Sequence, residues 1–146
     1  MVKHYTNFNI QKTHRGSIIL IGNFDGLHLG HKKLFQLAKS YKKKYNLKIG
    51  VVNFDPMPKM FFNKKLKNFR LSNIDQKIEL LSNLNVDFVI TKKFDKKFSK
   101  TKALNFISQI LNKKLGSKFI FVSNNFRFGN KREGNVNLLK KYEPIV

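Results

Sequence analysis

Four short apolar runs, Ser17–Gly22, Lys48–Phe54, Asp87–Thr91 and Lys118–Val122, alternate along the chain with segments whose apolar residues recur at helical spacing. Strand-length runs separated by helices cannot be joined as hairpins, so the alternation predicts a parallel sheet with helices on both faces. The first helix should bury Leu34, Leu37, Ala38, Tyr41 and Tyr45, with lysines on its opposite face. A second should start near Ser72, with Asp75 as a weak capping partner, and bury Ile74, Ile78, Leu81 and Leu84. A third, over Thr101–Leu115, places Ala103, Phe106, Ile107, Ile110 and Leu111 on one side before the cap at Gly116. A last helix covers Val136–Tyr142. In a doubly wound sheet of order 3-2-1-4, the loops after the first and fourth runs face each other where ligands bind.

Those two loops are unusually rich in glycine and asparagine. The first reads Gly22-Asn-Phe-Asp-Gly-Leu-His-Leu-Gly-His31 and leads into a helix. Unpaired backbone N–H groups at a helix start attract anions, and His28 and His31, three apart on one face, can add hydrogen bonds to phosphate oxygens. The pair could instead cap the helix or hold a metal, although no cysteine accompanies it and the spacing is not that of zinc proteases. Asp25 reads as a helix cap or as a carboxylate for Mg²⁺, and Gly22, Gly26 and Gly30 as turns or as points of close approach to phosphate. Neither the Walker pattern nor the dinucleotide fingerprint is present.

Two further loops carry aromatics. Pro56 and Pro58 break any helix after the second run, and Phe61 and Phe62 follow. These rings belong to the core or stack on a flat ligand at the sheet edge. The loop Asn124-Asn-Phe-Arg-Phe-Gly129 has the same character, with the Asn125 amide and with Arg127 as a phosphate partner.

With 146 residues the chain is expected to form one domain. Thirty Lys and Arg against eight Asp and Glu give a net charge of +22. Nucleic acid would be the usual partner for such a charge. Arginine, the residue of bidentate and base-edge contacts, appears only at Arg15, Arg70, Arg127 and Arg132. The abundance of Asn, Ile, Phe and Lys fits an AT-rich coding bias, so nucleic acid is not the expected partner. The absence of cysteine excludes disulfides. No run approaches the ~20 apolar residues of a membrane span, and a cytoplasmic location is expected.

With these motifs in order, the chain resembles the nucleotidylyltransferase superfamily through Gly22–His31. Phe54-Asp-Pro-Met-Pro58 and Asn125-Phe-Arg-Phe-Gly129 narrow the resemblance to bacterial FAD synthetases, over about residues 16 to 142. Gln76-Lys-Ile-Glu-Leu-Leu81, Val86-Asp-Phe-Val89 and Phe94-Asp95 also follow that family's spacing. The resemblance implies a Rossmann-like doubly wound parallel sheet and transfer of AMP from ATP to FMN, giving FAD and pyrophosphate, with Mg²⁺ bridging phosphates. It implies that His28 and His31 contact ATP phosphates and that Gly22, Phe24 and Asp25 lie along the nucleotide. The loop of Pro56 and Pro58, with Phe62, Asn125 and Phe128, would shape the flavin side.

Two positions depart from the family's pattern. Met57 stands where histidine is usual, which bears on a polar contact, and Ser123 where glycine is usual, near the adenine. The family's Ser-Ser-Thr-x-x-Arg motif and its riboflavin kinase domain are not found in the 146 residues. The expectation is therefore an FMN adenylyltransferase domain over residues 1–146, truncated in its last segment and fused to a riboflavin kinase in a full-length chain. The alternatives are a nucleotide- or flavin-binding module without activity, or another nucleotidylyltransferase with the same histidine motif.

Overall fold

The computed structural model describes residues 2–24, 29–56 and 74–142. A five-stranded, all-parallel sheet runs through them in the order β1-β4-β3-β2-β5. Its strands are β1 (Lys3–Tyr5), β2 (Ile18–Ile21), β3 (Ile49–Asp55), β4 (Phe88–Lys93) and β5 (Phe119–Phe121). Counting from β2, this is the expected 3-2-1-4 order, with the short N-terminal β1 added beside β4. β1 escaped the sequence reading because His4 and Lys3 are exposed and only Tyr5 is buried.

Successive strand residues point to opposite faces, and two separate cores result. Ile18, Leu20, Ile49, Val51 and Val89 lie under α1 (Leu29–Tyr45) and α2 (Ile74–Ser82), packing against Phe24, Phe35, Ala38 and Leu81. Ile19, Ile21, Val52, Phe88 and Ile90 face the helical segment over residues 103–114, together with Leu115, Phe128 and Leu139. The architecture is thus the Rossmann-like, doubly wound α/β fold. Among the described residues no helix is long and apolar enough to cross a membrane.

Three helical expectations need correction. In α1 the buried stripe is centred on Phe35 and Ala38, while Leu37 and Tyr45 are 45% and 46% exposed. Leu37 falls on the flank of the stripe. Tyr45 lies on the rim, tilted against Phe119 with the Lys44 ammonium over its ring. In α2 Leu81 is fully buried, and Ile78 and Leu84 are half-buried; Ser72 and the Ile74 side chain lie outside the described residues.

The third helix is not α throughout. A single α turn, α4 (Ala103–Asn105), passes into a π-helix over Phe106–Lys114. Its buried residues Ala103, Phe106, Ile107, Ile110 and Leu111 all face the sheet, with Leu115 just beyond the end. A short α3 (Lys96–Ser99) precedes it, capped by Asp95, whose carboxylate accepts the Phe98 N–H at 2.8 Å. That bond, ahead of the nearby Lys92 and Lys93, holds the carboxyl below its ordinary range.

At the amino-terminal end of the sheet, Gly50 leaves room for the Phe88 ring; a Cβ at residue 50 would lie 2.1 Å from it. His14 stacks on that ring, with centroids 4.5 Å apart, and its Nδ1 is 2.7 Å from the Tyr5 hydroxyl. The Gln11 N–H donates to the same hydroxyl at 3.1 Å. Burial, reinforced by Lys48 and Lys3 against an opposing pull from Asp87, holds the imidazole below its ordinary pKa.

Candidate functional site

All five strands run the same way, so their carboxyl ends form one edge of the sheet. The chain winds from β2 to β3 to β4 in one direction and then crosses to the far side of β2 to form β5. The segments leaving β2 and β5 therefore emerge side by side at the reversal, since Ile18, Ile19 and Leu20 pair with Phe119, Ile120 and Phe121. A crevice outside the carboxyl ends at such a reversal is where open α/β sheets bind ligands.

On the β2 side, the Gly22 N–H donates to the Val52 carbonyl at 3.0 Å, extending the ladder by one bond. Asn23 Oδ1 accepts the Phe54 N–H at 3.0 Å and ties this turn to the end of β3. Phe24 takes a left-handed conformation (φ 50°), which turns the chain sharply back. Its ring is buried and folds over Gly22, where a Cβ would come within 3.1 Å of it. The same ring meets the Phe35 ring edge-on at 5.1 Å and the His31 ring at 5.0 Å. His31 is half-buried in the first turn of α1. The structure thus brings Gly22, Phe24 and His31 together, with Gly30 beside them in that first turn. Asp25 and His28 lie outside the described residues.

Pro56 directly follows β3, joined to Asp55 by a cis peptide bond. Pro58, Phe61 and Phe62 lie outside the described residues. Phe54 packs against Phe94 and Phe98, with centroids 5.9 and 5.5 Å away. Phe98 continues to Phe106, and Phe106 to Phe128 and then Phe126. A line of aromatic rings therefore runs beneath the edge from the end of β3 to the loop after β5. Its middle link, Phe98, gave no signal in the sequence because it sits on a helix too short to show periodicity.

On the β5 side, the chain forms a small antiparallel hairpin, β6 (Arg127–Phe128) with β7 (Gly134–Asn135). It leads into α5 (Val136–Lys141), capped by Asn135 Oδ1, which accepts the Leu138 N–H at 2.9 Å. The hairpin divides the expected loop residues. Phe128 points inward, 8% exposed, over Gly134, where a Cβ would meet its ring at 2.7 Å. Asn125 and Arg127 point outward and line a cleft of about 340 Å³. Asn124 and Phe126 complete that side, and Asn135, Val136 and Asn137 form the other. These last three residues gave no functional signal in sequence, where they read only as a helix start.

The hairpin is fastened to the core at two points. Glu133 Oε1 accepts the Ala103 N–H at 2.8 Å, satisfying a donor at the start of α4 from thirty residues away. Gly129, at φ 82°, lies so close to Ala103 that a Cβ would sit 2.8 Å from its N, Cα and Cβ. Among the described residues no three His, Asp or Glu side chains come together as a metal site.

Comparison with known proteins places this arrangement in context. The chain matches the FAD synthetase family over residues 10–145. It is 44% identical over 133 residues to the bifunctional riboflavin kinase/FMN adenylyltransferase of Buchnera aphidicola subsp. Acyrthosiphon pisum, covering 91% of this chain and 42% of that protein. It is 40% identical over 131 residues to the protein of the same name from Escherichia coli K12, covering 90% and 42%. The chain thus spans less than half the length of these curated relatives. A crystal structure of a macrolide-efflux protein from Streptococcus pneumoniae has the same fold, with a TM-score of 0.82 at 24% identity, over 97% of this chain and 46% of that one.

Proposed function

The chain belongs to the FAD synthetase family, and from that premise we propose that it is an FMN adenylyltransferase, making FAD and pyrophosphate from ATP and FMN. The observation that carries this reading is that the chain leaves the paired strands β2 and β5 side by side, from β2 into the turn before His31 and from β5 toward the asparagine-lined cleft. One side offers donors for a triphosphate, and the other a polar cleft with an aromatic wall for a second, flat reactant.

In this reaction an FMN phosphate oxygen attacks the α-phosphorus of ATP. A new P–O bond forms as the bond to the β-phosphate oxygen breaks, and pyrophosphate leaves with the electron pair. No covalent enzyme intermediate is needed, so the protein contributes position and charge stabilisation. His28 and His31 would donate to the phosphates, with the Phe24 ring holding His31 in place. Gly22, Asp25 and Gly30 would lie along the nucleotide, and Pro56, Pro58, Phe62 and Asn125 on the flavin side, backed from within by the buried Phe128, with Arg127 reaching a phosphate. Mg²⁺ would accompany the triphosphate and offset its charge. The names of the relatives support a riboflavin kinase domain as the covalent partner, and the same proposal puts the reaction in the cytoplasm.

The test is FAD formation from FMN and ATP, followed chromatographically together with pyrophosphate release. His31→Ala should lower the rate by about 10²-fold, as removal of a donor to developing charge does. Turnover by the variant near that of the parent would remove His31 from this role. Binding of both ligands without pyrophosphate release would favour a binding module instead.

A further inference from the structure

We propose that Ser123, immediately before the cleft, is a positioning residue that sets the Asn125 amide as a hydrogen-bond donor toward the flavin, an inference that rests on the reading of this cleft as the flavin side. Ser123 Oγ lies 2.8 Å from Asn125 Oδ1. The amide oxygen carries no proton, so the serine hydroxyl must donate and the carboxamide oxygen accepts. This bond fixes which end of the amide is engaged with the loop and leaves the NH₂ group to serve a ligand.

Both residues are exposed, on the segment between β5 and β6 where the Phe126 N–H closes a turn onto the Ser123 carbonyl at 3.1 Å. In such a place an asparagine would otherwise rotate freely and present donor or acceptor equally well. The hydroxyl removes that freedom before any ligand arrives, and an amide held ready loses less entropy on binding. The NH₂ end matches the carbonyl and ring-nitrogen acceptors along the edge of an isoalloxazine ring. A ligand presenting a donor there would meet a like group and be disfavoured.

The experiment compares the parent protein with Ser123→Ala, Ser123→Gly, Ser123→Thr and Asn125→Ala. NMR relaxation of the Asn125 side-chain amide is read without ligand, and FMN affinity is read by flavin fluorescence. Loss of the hydroxyl should raise the mobility of the Asn125 amide and weaken FMN binding roughly two- to tenfold. Ser123→Thr, which keeps the hydroxyl, should restore both. An amide equally ordered without the hydroxyl overturns the proposal. So does an amide that loosens while FMN affinity stays at the parent value, when Asn125→Ala weakens it. If Asn125→Ala leaves FMN affinity unchanged, the flavin reading of the cleft fails and the proposal falls with it; the NMR comparison still reports separately whether the bond holds the amide.

Discussion

Gly129→Ala is expected to be among the most damaging small substitutions in the chain. Gly129 has φ 82° and ψ 177°, a region essentially reserved for glycine, and forcing another residue there costs about 1–3 kcal/mol. The added methyl would also press to 2.8 Å on the N, Cα and Cβ of Ala103. Those atoms open α4, and the Ala103 N–H is committed to Glu133, so they cannot retreat without loosening that bond. Overpacking of this kind adds about 1–3 kcal/mol. The sum, about 2–6 kcal/mol, is a large share of the roughly 5–15 kcal/mol that stabilises a domain. At about 3 °C per kcal/mol for a chain of this length, Tm should fall by roughly 6–18 °C. Gly116→Ala is the control: Gly116 also has positive φ (57°), but its nearest contact would be 3.5 Å away, leaving only a conformational cost of about 1–2 kcal/mol. Thermal and urea unfolding of the two variants decide the matter. Equal losses would refute the argument that close approach to Ala103 excludes a side chain.

Gly50→Ala should destabilise by about 1–3 kcal/mol, because the Phe88 ring that it would strike is fully buried and stacked against His14; combining it with Phe88→Leu should recover part of the loss in urea unfolding, and no recovery would count against the clash. Acid should weaken the fold through His14. Its folded pKa is held below the ordinary 6.5, so the unfolded chain takes up the proton first, and the stability due to this group is fully present above about pH 6.5 and lost as pH falls through the folded value. Unfolding midpoints measured between pH 5 and 8 should show that decline, and His14→Phe should lessen it; an identical slope in the variant would assign the effect to other groups.

The strand order and both core faces were legible because central strands of a parallel sheet are apolar throughout and their crossover helices carry a period. The lines that failed depend on neighbours distant in sequence. Nothing local marks Lys3–Tyr5 as a strand, since its pairing partner is β4, more than eighty residues on. Nothing local announces the π-helix either, because its buried Phe106, Ile107, Ile110 and Leu111 keep ordinary α-helical spacing. At the site, the chain turns at Phe24 after β2 as expected, while Asp25 and His28 lie outside the described residues. The cleft after β5 was readable only in part, because a hairpin of two-residue strands folds Asn135 and Asn137 opposite Asn125 and turns Phe128 inward. The Glu133 bond to Ala103 spans a separation that no window along the sequence covers.

The position of β5 bears on how the protein behaves in solution. β5 pairs with β2 on one side, and among the described residues no strand lies along its other side. Phe119, Ile120 and Phe121 are all half-buried there. A strand edge left open among the described residues invites another copy to add its own strand. Each copy, however, carries a net charge of +22, and two such edges repel before they can pair. That protection reaches about 10 Å in 0.1 M salt but only about 3 Å in 1 M. Colloidal stability in this molecule is therefore electrostatic, and concentrated salt or a polyanion would remove the barrier that keeps its sheets apart.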